Sequence, residues 1–124
     1  MKYRAIQRRN PLEPAAPKKW YATPVNAGKV SQRSISKDIV ESSSLTYGDV
    51  SHAIESLLNA IPRYLILGNS VNLGVLGTFR LSFSSSGVET PDDLTANLIS
   101  GVKVIYTPST ELRKQIKQID FLKA

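Results

Sequence analysis

Few side chains in this sequence can do covalent chemistry. The single histidine, His52, stands near Asp49 and Glu55 among many serines, so a Ser-His-Asp arrangement can be drawn. No G-x-S-x-G or equivalent accompanies it, and His52 reads as a surface or interface histidine on a helix. The absence of cysteine removes thiol nucleophiles, cysteine-ligated zinc, iron–sulfur clusters and disulfides together, and one histidine gives no basis for a metal site. Phosphate loops of the G-x-x-x-x-G-K type and dinucleotide glycine patterns are missing. Gly74 to Gly77 spells the GxxG of a KH clamp, but that clamp needs helices on both sides and this one leads into a strand. Neither an enzyme nor a cofactor or small-molecule substrate is expected.

What remains is the binding chemistry of cations. The formal net charge is +6, and it is unevenly placed. Residues 1 to 37 hold nine basic groups (Lys2, Arg4, Arg8, Arg9, Lys18, Lys19, Lys29, Arg33, Lys37) against Glu13 alone, giving +8, while the rest of the chain sums to −2. Clustered lysines and arginines neutralise phosphates and release condensed counterions, so a polyanionic partner is indicated. A membrane surface, an acidic protein or a merely solvating tail are the other uses of such a segment. No apolar run is long enough to span a bilayer, and MKYRAIQRRN lacks the apolar core of a secretory signal, so a cytoplasmic protein is expected.

These cations must be carried by identifiable elements. Residues 2 to 9 alternate between apolar and basic positions as a strand does, with Tyr3, Ala5 and Gln7 on one face. The proline-rich stretch NPLEPAAPKK should be an extended connector, and WYATPV a second strand turned back at Asn26 to Gly28. Tyr3, Trp20 and Tyr21 lie among basic groups, placed either to stack on bases or to anchor the segment by packing. From Gln32 to Ser44 the positions Ile35, Ile39 and Val40 predict a short amphipathic helix. Thr46 and Asp49 then form a start signal for a second helix with a long stripe from Tyr47 through Val50, Ile54, Leu57, Leu58 and Ile61 to Leu65. Pro62 predicts a kink or break near Ile61. Beyond Gly68 the period changes to that of strands, with Val71 and Leu73, then Phe79, Leu81 and Phe83. The polar stretch 84 to 101 reads as an elaborated hairpin tip before VKVIY resumes a strand. Thr107 to Ser109 signal a closing helix, with Pro108 suited to its first turn and Leu112, Ile116 and Ile119 on one face.

That order of elements resembles the HU and integration-host-factor family of dimeric DNA-binding proteins. The block GNSVNLGVLGTF, through Gly68, Val71, Leu73, Gly77 and Phe79, resembles the family's glycine-opened strand, turn and glycine-x-phenylalanine segment. Ser44 to Thr46 resembles the turn between its first helices, and Y-T-P-S with Leu112 and Arg113 its approach to the last helix. The resemblance covers about residues 31 to 120, and the whole chain resembles a diverged branch with an N-terminal extension. It implies an α+β fold: two N-terminal helices, a three-stranded antiparallel sheet with a protruding β-arm and a short C-terminal helix, in an intertwined dimer. The chain divides into a basic extension, 1–30, and an HU-like domain, 31–124. Leu57, Leu58, Ile61, Phe79, Leu81 and Phe83 are expected in the shared core.

The resemblance implies a non-enzymatic, histone-like homodimer that binds DNA at the nucleoid with little sequence specificity. Family members typically carry cations along the arm and a wedging proline at its tip. Here the tip holds Glu89, Asp92 and Asp93 and no basic residue; Pro91 is either a wedge or an ordinary turn proline. Phosphate contacts are therefore expected from Lys2, Arg4, Arg8, Arg9, Lys18, Lys19 and Lys29 of the extension. Arg80 and Lys103 at the arm base, and Arg113, Lys114 and Lys117 of the last helix, add to them unless they are solvated charges. The competing expectation is an HU-fold module whose acidic arm binds a protein and which does not bind DNA.

Overall fold

The computed structural model describes residues 1–124 as a mixed α+β chain with three helices and two three-stranded sheets. The N-terminal hairpin joins β1 (Lys2–Arg8) to β2 (Lys19–Pro24), in register from Tyr3 opposite Pro24 to Arg8 opposite Lys19. Helices α1 (Gln32–Glu41) and α2 (Tyr47–Ile66) follow. The second sheet runs β3 (Val71–Asn72), β4 (Gly77–Ser85) and β5 (Ile99–Pro108), with the β4–β5 hairpin forming the arm. Helix α3 (Thr110–Lys117) and a short β6 (Leu122–Lys123) complete the chain.

Local chemistry accounts for most boundaries. Ser31 caps α1 by accepting from the Ser34 amide. Thr46 and Asp49 satisfy each other's backbone donors in a reciprocal capping box that opens α2. At the other end Gly68 takes a φ of +93°, and Gly68 and Asn69 donate back to Leu65 and Tyr64, closing the helix in a Schellman motif. Of the kink or break expected near Ile61, the break does not occur: α2 runs through Pro62 to Ile66. The proline removes only its own bond to Leu58, and the Schellman closure ties down the turn that follows.

Other boundaries differ from the sequence reading as well. Pro108 ends β5 and precedes the Ser109 cap, so it lies outside the first turn of α3. That helix stops at Lys117, leaving Ile119 beyond it. Leu73 follows β3 and leads into a single 3₁₀ turn, Gly74–Leu76. Gly77 has a φ of +125°, and a β-carbon there would collide with the Thr107 carbonyl oxygen. Gly77→Ala is therefore expected to destabilise the fold by about 3 kcal/mol or more, read as a lowered urea midpoint, because the obstacle is backbone and cannot rotate away.

Burial is sparse. Only four of 124 residues are buried, among them Val50, Leu65 and Ser36. The chain exposes 10506 Å², whereas a compact monomer of this length would expose about 6,600 Å². Leu57 and Leu58 of the α2 stripe are 47% and 50% exposed, and Phe83 is 58% exposed. Ile61, Phe79 and Leu81 are half-buried. On α1, Ser36 and Val40 turn inward while Ile35 and Ile39 remain exposed. The first sheet, order β2-β1-β6, makes no extended packing contact with the helices or the arm. No helix is long and apolar enough to cross a membrane.

Candidate nucleic-acid interface

Alternation along paired strands decides which cations act together. In the β1–β2 register Arg4 lies opposite Thr23, Ile6 opposite Tyr21 and Arg8 opposite Lys19, so these side chains share one face with Lys2. Lys2, Arg4, Arg8 and Lys19 are all exposed. Arg8 and Lys19 stand directly opposite each other, a like-charge pairing that disfavours the hairpin, and Glu13 lines a hollow together with both of them and Tyr21. At the centre of the face lies the Ile6–Tyr21 pair, Ile6 half-buried and Tyr21 exposed. The Thr23 hydroxyl beside Arg4 is buried without a hydrogen-bond partner. Arg9 and Lys18 extend the charge past the strand ends, both exposed, and Lys29 lies exposed in the segment before α1.

The opposite face of the same sheet is apolar, as expected for Tyr3 and Ala5. Tyr3, Ala22 and Pro24 line a hollow with Phe121, and Trp20, opposite Gln7, is 67% exposed. Tyr21 therefore joins the cations, while Tyr3 and Trp20 do not. The sheet's third strand was absent from the sequence reading: β6 pairs parallel with β1 at Lys2 and Tyr3, and the Met1 amine donates to the Asp120 carbonyl at 2.7 Å. Two residues of strand carry no readable period, so only the pairing reveals them.

On the arm, Arg80 lies opposite Ile105 and Ser82 opposite Lys103, which puts Arg80 and Lys103 on one face as diagonal neighbours. The other face holds Phe79 against Tyr106, ring centroids 4.9 Å apart, and Leu81 against Val104. The Tyr106 hydroxyl donates to the Leu76 carbonyl at 2.6 Å, locking the arm base to the 3₁₀ turn. Phe83 falls in an irregularity between Ser82 and Ser84, so strict alternation stops before it. Arg113, Lys114 and Lys117 are exposed on α3.

The arm tip is ordered rather than loose. Ser86 donates to the Leu98 carbonyl across its base, and two 3₁₀ turns, Pro91–Asp93 and Ala96–Leu98, fill it. Pro91 opens the first of these turns, the position of a turn proline, and Asp93 accepts from the Thr90 hydroxyl at 2.8 Å. Glu89, Asp92 and Asp93 are exposed with no cation on the tip to balance them.

A family model described as an HU domain fused to wHTH, Ig or glycine-rich motif matches residues 1–123. No curated protein matches. Among solved structures, a protein of Bacteroides vulgatus described as a bacterial DNA binding protein is similar at 21% identity and a TM-score of 0.61 over 98% of this chain. This chain spans only 48% of that one, about half its length. An HU from Anabaena, crystallised with DNA, is similar at 14% identity and a TM-score of 0.57, over 73% of this chain and 100% of its own. These likenesses establish an HU-like fold.

Proposed function

Because the chain belongs to the HU-HIG family, HU domains fused to a wHTH, Ig or glycine-rich motif, we propose that it is a non-enzymatic, architectural DNA-binding protein that works as a homodimer. It grips backbone phosphates with little regard to sequence. The observation that carries this reading is the exposed row of Lys2, Arg4, Arg8 and Lys19 on one face of the β1–β2 hairpin. Positions two residues apart on a strand stand roughly 7 Å from each other, so such a row can meet several phosphates at once. Arg80 and Lys103, sharing a face at the arm base, form a second and smaller contact. That an HU of similar fold was crystallised on DNA supports the same partner, and such a partner implies a place at the nucleoid.

The homodimer rests on area. The excess of roughly 3,900 Å² per chain over a compact monomer exceeds the roughly 1,000–2,500 Å² that each partner buries in a large obligate interface, so it leaves room for such an interface with the hairpin and arm still outside it. It includes the α2 stripe at Leu57 and Leu58. In this arrangement residues 1–30 form a phosphate-gripping extension and 31–124 the dimerising HU domain. The acidic tip favours a different role for the arm, as a surface for protein rather than for DNA.

A mobility-shift titration on random-sequence duplex at two salt concentrations tests the reading. Binding should be insensitive to base sequence and weaken at least tenfold between about 50 and 200 mM salt, as several phosphate contacts require. Absence of any salt-sensitive shift would sink it in favour of the HU-fold interaction module.

A further inference from the structure

We infer that the acidic arm tip of one copy docks on the basic hairpin face of another copy. The two surfaces match in charge and in apolar content. On the tip, the exposed Glu89, Asp92 and Asp93 are interleaved in sequence with Val88 and Leu94, which are 40% and 54% exposed. On the hairpin, Lys2, Arg4, Arg8 and Lys19 surround Ile6 and Tyr21. Each surface thus presents apolar and charged side chains together, with charge of opposite sign in the two cases.

Preorganisation strengthens the match. The tip backbone is shaped by its 3₁₀ turns, and the Asp93 carboxylate is held by the Thr90 hydroxyl, so that group needs little ordering on docking. Within one chain the two surfaces belong to separate sheets with no extended packing between them, and their opposite charge makes a second copy the fitting occupant. Carboxylates on an ordered turn also offer what phosphates offer a row of cations, namely negative oxygens at close spacing. Where the hairpin also grips DNA, DNA and tip compete for one face. The docking itself does not depend on that reading and is tested with no nucleic acid present.

The chain has no cysteine, so single cysteines report proximity cleanly. Full-length Leu12→Cys, in the turn of the basic hairpin, is mixed with full-length Gly87→Cys, on the tip, and treated with a short bis-maleimide. Ser43→Cys, between α1 and α2, replaces Leu12→Cys in the control pair. The expected yield of the hairpin–tip adduct is at least tenfold above the control at low salt. It falls to the control level near 1 M salt, where the Debye length is about 3 Å. Glu89→Lys with Asp92→Lys and Asp93→Lys in the tip chain should abolish the excess, and so should Arg4→Glu with Arg8→Glu in the hairpin chain. Combining the hairpin reversal in one chain with the tip reversal in the other should restore it, which excludes local unfolding as the cause of either loss. A yield equal to the control, or one unmoved by both reversals, overturns the proposal.

Discussion

Leu57→Asp is expected to leave no folded protein at all, monomeric or dimeric, at micromolar concentration. Leu57 is 47% exposed on the single chain, and a carboxylate at such a position on an ordinary monomer would cost little. In the proposed dimer the same side chain lies in the shared core, and an unpaired buried charge there costs roughly 3–5 kcal/mol per copy. Two copies lose about 6–10 kcal/mol, comparable to the whole stability of a small protein. Release of a folded monomer is not the expected alternative, because a chain with only four buried residues has too little interior to stand alone. Circular dichroism and sedimentation should report loss of helix together with loss of the dimer. A Leu57→Asp chain that keeps its helix content and sediments as a compact monomer would remove both the dimer and the shared core from the account.

The same sparseness of burial explains what the sequence could and could not disclose. The start of α2 is legible at Thr46 because capping is local chemistry, decided by side chains three residues apart. Helix α1 is legible instead from the spacing of Ile35, Ile39 and Val40, and its Ser31 cap emerges only in the structure. The β4 and β5 strands were legible because Phe79 and Leu81, then Val104 and Tyr106, alternate over several residues. A break at Pro62 does not occur because the turn beyond it is closed at Gly68, a feature that a propensity argument centred on one residue does not weigh. Ile119 was drawn into α3 because its spacing from Ile116 suits a helix, although the helix ends at Lys117. Nothing in residues 118–124 announces β6, whose pairing to β1 joins the two ends of the chain. For the candidate site, charge composition singled out the extension, but only the register separated Lys2, Arg4, Arg8 and Lys19 from the apolar face of Tyr3 and Trp20. Register is a long-range property whenever a proline-rich connector of variable length stands between the strands.

Replacing Lys2, Arg4, Arg8 and Lys19 together by glutamine is expected to make the slope of log affinity against log salt shallower by roughly 4 to 5 units. Truncating residues 1–19 would seem the simpler experiment, but it strips β1 from between β2 and β6 and so dismantles the sheet as well as its charge. Glutamine keeps the length and much of the strand compatibility while removing the cation. If two or three of the four residues in each chain touch phosphate, a dimer loses about four to six contacts, each contributing about 0.9 to the slope. Extrapolated from about 1 M salt, where this contribution vanishes, the loss at physiological ionic strength is roughly 10³- to 10⁴-fold. Circular dichroism must show the variant folded, which relief of the Arg8–Lys19 opposition should favour. Neutralising Arg80 and Lys103 instead should lower the slope of the dimer by about 2 to 4 units if one or both residues in each chain touch phosphate, because the arm base offers fewer cations on one face. A folded hairpin variant with an unchanged slope would move the phosphate contacts to the arm base and α3, and would leave the hairpin cations to the acidic tip of a second copy.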